Sequence, residues 1–330
     1  MSEPTTIYQR PVELLQHLIR FDTTNPPGNE GPCIAYINDL LTGLGIETTI
    51  LARHPDRPNL IARLRGDGHA PPLLVQGHID VVTTEGQAWT YPPFEAHIAD
   101  GFVWGRGALD MKAGVAMMLA AVMRAKAEGT PLPGDVILAV LSDEEASGDM
   151  GAKFLVEAHA ELFAGVRYAI GEFGGFTLDI GGRRFYPIVV AEKQFCRTVA
   201  VVRGPAGHGS APRYSPANAT AKLARLLHAL NTTRLPVHIT PPVRAMITAL
   251  RDALPSPQRE LFDQLLDPSM TDRALVQLGD QGRMLDPLLH HTASPNIIAA
   301  GGPINVIPAA ITVELDGRLL PGFAPDDLLE

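Results

Sequence analysis

Cysteine is almost absent. Cys33 and Cys196 are the only two in 330 residues, too far apart to suggest a disulfide framework, and neither stands in a metal-binding spacing. Positive charge is also scarce: 27 Lys and Arg face 36 Asp and Glu, a formal net charge of −9. That balance argues against nucleic acid as a partner. It says nothing about a small anionic substrate. Long apolar runs are missing as well. Residues 113–123 fall far short of the roughly 20 that a membrane helix needs. Residues 1–10 are polar and lack the apolar centre of a signal peptide, so the expectation is a cytoplasmic protein with no membrane partner. There is no internal repeat and no low-complexity tract. What is left is a globular composition, 45% hydrophobic and 19% charged, on a chain long enough for two domains.

The pattern alternates between helix and strand. Val12, Leu15, Leu18 and Ile19 recur at helical spacing behind Pro11, a good first-turn residue. Asn25-Pro26-Pro27-Gly28 breaks that helix. Cys33, Ile34, Ile37, Leu40, Leu41 and Leu44 mark a second one. Strand-like runs follow at 46–51, 60–64 and 73–78. Such alternation predicts an α/β sandwich whose sites lie beyond the strand ends. A second unit begins near Lys193, with a strand at 198–202, a helix at 216–230 and a strand pair near Ile297 and 311–315. Residues 243–289 form a helical insertion broken at Pro255 and Pro268.

Four strand-like runs end in a His or a carboxylate. The first is Leu73 to Val82, through Gly77-His78-Ile79-Asp80. The second group is Gly105-Arg106-Gly107 followed by Asp110-Met111-Lys112. The third is Ser142-Asp143-Glu144-Glu145 and the fourth Gly171-Glu172. Their order points to a divalent-metal site at the carboxyl edge of a sheet. In an extended chain i and i+2 share a face, so His78 and Asp80 project together. A ligating imidazole usually gives its other N–H to a carboxylate, so His78 reads as a ligand and Asp80 as its orienter. The ordinary alternative is a strand-end His bonded to a nearby Asp. Asp110 could equally cap the helix read at 112–127. Glu144 and Glu145 would repel unless a cation or proton lay between them. If extended, they would point to opposite sides, one toward metal and one toward substrate water. A solvated acidic turn is the plainer reading.

Taken together, these motifs resemble the co-catalytic zinc hydrolases that include acetylornithine deacetylase, succinyl-diaminopimelate desuccinylase, aminoacylase, glutamate carboxypeptidase and carboxypeptidase S. Thr23 to Glu30, Pro93-Phe94, Trp104-Gly105, Glu192-Lys193, Gly207-His208-Gly209-Ser210-Ala211-Pro212, Gly301-Gly302, Asn305 to Pro308, Asp316 and Arg318 extend the match. The resemblance implies an α/β three-layer sandwich with a mixed, mostly parallel sheet (residues 1–192). It also implies an inserted α+β lid and dimerisation domain (193–330). Two Zn2+ per subunit are implied, with Co2+ or Mn2+ as substitutes. His78 and Glu172 would hold one ion, Glu145 the second, and Asp110 both. Glu144 would be general base and acid, with Asp80 supporting His78. His208 would polarise the scissile carbonyl. Asn305 and Arg318 would face the substrate, an arginine fork suiting a carboxylate. A cis Asp110–Met111 peptide is implied too. The activity implied is amide hydrolysis of N-acyl amino acids or short peptides with a free carboxylate, by a homodimer.

The family pattern ends in a further metal-binding His after the chain returns to the catalytic domain. Here no His lies beyond His291, and residues 326–330 read as the start of a helix. The expectation is a chain cut short at its C-terminus, with one tightly held zinc. A metal-binding scaffold with little turnover is the alternative.

Overall fold

The computed structural model describes residues 4–212 and 214–329. The chain divides into two compact units, one ending at Phe173 and the other starting at Gly174.

In the first unit, α1 (Pro11–Ile19) and α2 (Gly31–Gly43) precede strands β1 (Glu47–Ala52), β2 (Pro58–Leu64) and β3 (Leu73–His78). A hairpin of β4 (His97–Ala99) and β5 (Phe102–Trp104) leads to α3 (Lys112–Ala127). Then come β6 (Val136–Leu141), α4 (Ala152–Ala158) and β7 (Tyr168–Ile170). Pro11 stands in the first turn of α1, as expected. The α1 face differs from the expected one: Leu14, Leu18 and Ile19 are buried, whereas Val12 is exposed. Every expected apolar position of α2 up to Leu41 is buried.

The sheet order is β1-β2-β6-β3-β7. β1–β2 and β2–β6 are antiparallel; β6–β3 and β3–β7 are parallel. The expected mixed sheet is there, its pairings divided evenly, with the parallel half under the site. Period-2 alternation assigns side chains to its two faces. Leu60, Ala62, Leu64, Val75, Leu138 and Val140 pack with α1, α2 and α3 in one core. Ile61, Ile137, Ala139 and Leu141 turn the other way, against Leu155 of α4 and the 3-10 turn Ala160–Phe163. Helix, sheet and helix make three layers.

The second unit opens with a hairpin, β8 (Leu178–Ile180) and β9 (Arg183–Phe185). Next are β10 (Gln194–Phe195), β11 (Thr198–Arg203), β12 (Gly207–His208) and α5 (Ala219–Thr232). The expected helical insertion is α6 (Pro241–Ala253), α7 (Gln258–Gln264), α8 (Thr271–Leu278) and α9 (Asp280–Leu289). Breaks fall around Pro255 and Pro268, as read from the sequence. β13 (Thr292–Ala299), β14 (Val306–Ile307) and β15 (Ala310–Leu319) follow. β15 runs antiparallel to β10 and β11 on one side and to β13 on the other. The expected helical start at 326–330 is a short 3-10 turn, Pro325–Leu328, while Glu330 lies outside the described residues.

Ile180 sits in the apolar core of α6–α9, with Leu178 and Phe185 packed against it. That packing groups the β8–β9 hairpin with the helices of the second unit.

Candidate metal centre

Parallel pairing brings three strand ends side by side: His78 closes β3, Ser142-Asp143-Glu144-Glu145 follows β6, and Gly171-Glu172 follows β7. His78 is 2% exposed. Its Nδ1 faces the Asp80 carbonyl oxygen at 3.0 Å and the Asp80 carboxylate at 3.3 Å. Protonated at Nδ1, the ring donates there and turns Nε2 outward. Nε2 lies 3.1 Å from Asp110 Oδ1, 3.7 Å from Glu144 Oε2 and 3.8 Å from Glu172 Oε2. One ligand atom each from His78, Asp110 and Glu172 lies within 4.8 Å of the others, a grouping able to hold a metal ion.

Asp110 does not cap α3. The N-cap position is Met111, without a side-chain cap bond. The Asp110–Met111 peptide is cis, as the resemblance implied. Ahead of it, Gly107 (φ +80°) carries no Cβ, which would stand 2.9 Å from Val81 Cγ1. The buried Lys112 side chain donates from Nζ to the Phe21 carbonyl at 2.7 Å, fixing the start of the helix.

Glu144 and Glu145 are not extended, contrary to the strand reading; they lie in a turn. The reason is Asp143, whose φ of +68° puts it in the left-handed region. Asp tolerates that region better than most residues, at a cost on the order of 1 kcal/mol. The turn aims both following amides at one carboxylate: Glu144 N–H donates to Asp80 Oδ1 (3.1 Å) and Glu145 N–H to Asp80 Oδ2 (3.0 Å). Asp80 thus has a part beyond orienting His78.

The electrostatics favour a cation. Burial opposes a charged His78, yet the hydrogen bond and charge of Asp80, with Glu144 and Asp110, lift it to about 9. Burial would raise Asp80, but hydrogen bonds from His78 and Asn25 outweigh it and hold the carboxyl below its ordinary value. Glu145 is pushed up to about 7 by burial and then by the charge of Asp110. Glu172 is raised by burial and by Asp110. Carboxyls held above their ordinary values by burial and by one another, beside an imidazole held charged by its neighbours, mark a place where a divalent ion would relieve the repulsion. One imidazole nitrogen and several carboxylate oxygens therefore fit a divalent metal.

The remaining expected residues lie in the second unit. His208 on β12 pairs with Val306 of β14. Its Nδ1 accepts the Ser210 amide at 3.3 Å and lies 2.8 Å from Ser210 Oγ, so the outward Nε2 carries the proton. Asn305 stands beside it: its carbonyl accepts the Gly209 amide at 2.7 Å. Arg318 is engaged, with Nε and Nη2 on the two Asp316 oxygens at 2.9 and 3.2 Å. Its guanidinium carbon lies 3.6 Å over the Phe195 ring. Four residues given no individual role from sequence, Asn25, Glu30, Arg57 and Asp143, form a buried network behind the acids. Three of them stood in quoted motifs; Arg57 carried no signal, flanked only by Asp56 and Pro58.

A three-layer sandwich whose parallel strand ends gather His78 and carboxylates is an α/β protein built to hold a divalent cation. This chain belongs to the peptidase family M20/M25/M40, which residues 74–254 match; residues 190–330 match the peptidase dimerisation domain. Succinyl-diaminopimelate desuccinylase of Paracoccus denitrificans is 40% identical over 148 residues, 44% of this chain and 38% of that protein. The enzyme of the same name from Cereibacter sphaeroides is 33% identical over 229 residues, 67% of this chain and 56% of that one. The chain spans about half the length of these relatives or less. Among solved structures, the M20 family metallo-carboxypeptidase Sso-CP2 from Sulfolobus solfataricus shares the fold. Its TM-score is 0.63 at 20% identity, covering 100% of this chain and 74% of that one. Human carnosine dipeptidase 1 gives 0.62 at 17%, covering 99% and 73%. Among the described residues, no helix is long and apolar enough to cross a membrane.

Proposed function

We propose that this protein is a zinc-dependent amidohydrolase acting on N-acyl amino acids or short peptides with a free carboxylate. The observation that carries this reading is the convergence of His78 Nε2, Asp110 and Glu172, with Glu144 Oε2 3.7 Å from the same nitrogen. The desuccinylase relatives support an N-acyl amino acid as substrate. His78 and Glu172 would hold one ion and Glu145 a second, with Asp110 contributing to both. Bound there, zinc supplies Lewis-acid chemistry: a more acidic water and a polarised acyl carbonyl. Co2+ or Mn2+ would serve as substitutes.

The chain's own groups do the rest. Asp80 holds the His78 tautomer that frees Nε2. Glu144, about half exposed, accepts the proton of the attacking water and returns it to the leaving amine. His208 donates its Nε2–H to the acyl oxygen, a role that rests on the Gly207 to Pro212 motif and on its tautomer. Asn305 faces substrate. Arg318 would have to release Asp316 before taking a substrate carboxylate. We assign residues 1–192 to catalysis and 193–330 to a lid through which two copies pair, a homodimer that sedimentation would detect.

The test is a panel of N-succinyl and N-acetyl amino acids and dipeptides, with Zn2+ added. Turnover is expected on at least one class. Glu144→Gln keeps the shape and removes the base, so near-complete loss of turnover with metal still bound is expected. Retention of more than a few per cent would rule Glu144 out as proton shuttle.

A further inference from the structure

Behind the acids that reach solvent lies a layer of charge sealed from it. Glu30 is 0% exposed and receives Arg57 Nε at 2.6 Å and Nη2 at 2.7 Å. The same Nη2 reaches Asp143 Oδ1 at 3.2 Å. Asn25 Nδ2 bridges two buried carboxylates, Asp143 Oδ1 at 3.1 Å and Asp80 Oδ2 at 2.8 Å. An amide NH2 has two protons, one for each acid. Asn25 is itself pinned, its N–H on the Val81 carbonyl at 2.8 Å. On the far side, Asp143 Oδ2 accepts the Met150 amide (3.0 Å) and the Ser147 hydroxyl (3.3 Å).

The contacts converge on two places. One is Asp143, where the chain leaves β6 through a left-handed residue. The other is Asp80, which collects the amides of Glu144 and Glu145. β6 needs neither, because it is already paired with β2 from Val136 to Val140 and with β3 from Val136 to Leu141. The network's grip therefore falls on the turn that carries the two glutamates.

We propose that Asn25, Arg57 and Glu30 are positioning residues that act through Asp143 and Asp80 to set the direction of the Glu144 and Glu145 carboxylates. The proposal rests on the reading of Glu144 as base and Glu145 as ligand. A side chain that orients a ligand or base typically costs about 10–100-fold in metal affinity or activity when removed.

The test uses the full chain and two variants. Asn25→Ala removes the bridge. Glu30→Gln with Arg57→Gln removes a buried pair together, so neither of the two is left as a lone charge, while Asp143 keeps the donors Asn25, Ser147 and Met150. Circular dichroism checks folding. The readouts are kcat and KM, Zn2+ affinity by competition with a chromophoric chelator, and the visible spectrum of the Co2+-loaded protein. Glu145→Gln serves as the ligand control. The expected result is kcat down about tenfold or more with KM within about twofold, weaker Zn2+ binding and an altered Co2+ spectrum. Wild-type kcat, Zn2+ affinity and Co2+ spectrum in both folded variants would overturn the proposal, whatever happened to the melting temperature. So would failure of both variants to fold, which would make the network a folding element. If wild type hydrolyses nothing, the functional reading fails but Zn2+ and Co2+ still decide the positioning. If Glu145→Gln leaves the spectrum unchanged, the ligand reading falls and this proposal with it.

Discussion

The buried pair of Glu30 and Arg57 depends on a residue that has no side chain. Gly28 has φ +84°, and a Cβ there would stand 2.2 Å from both Cζ and Nε of Arg57. Gly28→Ala therefore adds left-handed strain and evicts a guanidinium from a buried carboxylate. Breaking a buried pair costs about 3–5 kcal/mol, and left-handed strain alone about 1–2 kcal/mol. Gly45 is the control: its φ is +69° and nothing lies within 4 Å of its Cβ position. Urea unfolding should show Gly28→Ala losing roughly 3 kcal/mol or more and Gly45→Ala losing about 1 kcal/mol. Equal losses would mean that Arg57 adjusts freely and that its place is not set by this contact. None of this was legible in the sequence. Gly28 reads as a turn glycine after two prolines. Its partner is 29 positions away, in a stretch with no periodic pattern, and pairing of that kind leaves no local trace. The places of His78, Asp80 and Asp110 were legible because the first ends β3, the second follows it and the third stands just ahead of α3.

At the level of elements, strong periodicity carried through and short or irregular segments did not. β3 and α3 have the bounds read from the sequence, since each is a bounded apolar run. The β4–β5 and β8–β9 hairpins escaped because three-residue strands are too short for alternation to register. At Glu144–Glu145 an extended segment and a turn both stood open, and the turn is what forms, because strand propensity says nothing of where a strand stops. The strand starts carry their own clamp. Asp135, just before β6, takes the Gly66 amide at 2.9 Å and Arg63 Nη1 at 2.9 Å, while its carbonyl accepts the Leu73 amide at 2.9 Å. The Gly66 amide, then Arg63, hold the Asp135 carboxyl below its ordinary value of 3.8. A depressed folded value means the contribution is present above 3.8 and is lost as pH falls through the folded value. Asp135→Asn should lower the urea midpoint at pH about 7, with the gap to wild type closing as pH drops below about 4. A gap that stays constant across that range would show that charge is not what the clamp supplies.

For the whole molecule, the alternation of helix and strand was enough to foresee two units, an α/β sandwich and an α+β unit. The place of the β8–β9 hairpin was not legible, because Ile180 packs in a helical core formed by residues far away in sequence, 243–289. The two units also differ in a way that can be measured. Both tryptophans, Trp89 and Trp104, lie in the first unit, which also holds His78, Asp110 and Glu172. Tryptophan fluorescence therefore reports the unfolding of the metal-bearing unit, free of signal from the α6–α9 core. An ion that binds the folded unit and not the unfolded chain stabilises it by about 2.7 kcal/mol when free ion is 100 times its Kd. In urea titrations, Zn2+ should move the fluorescence midpoint upward, with an unfolding free energy larger by an amount of that order. Chelation should reverse the shift. His78→Ala should abolish it, since the remaining ligands are carboxylates without the nitrogen donor. The dependence should also weaken as pH falls, because protons compete for the imidazole and the acids. A fluorescence midpoint indifferent to Zn2+ at every concentration, or a shift that survives His78→Ala, would mean that the strand-end cluster is not where the chain binds metal.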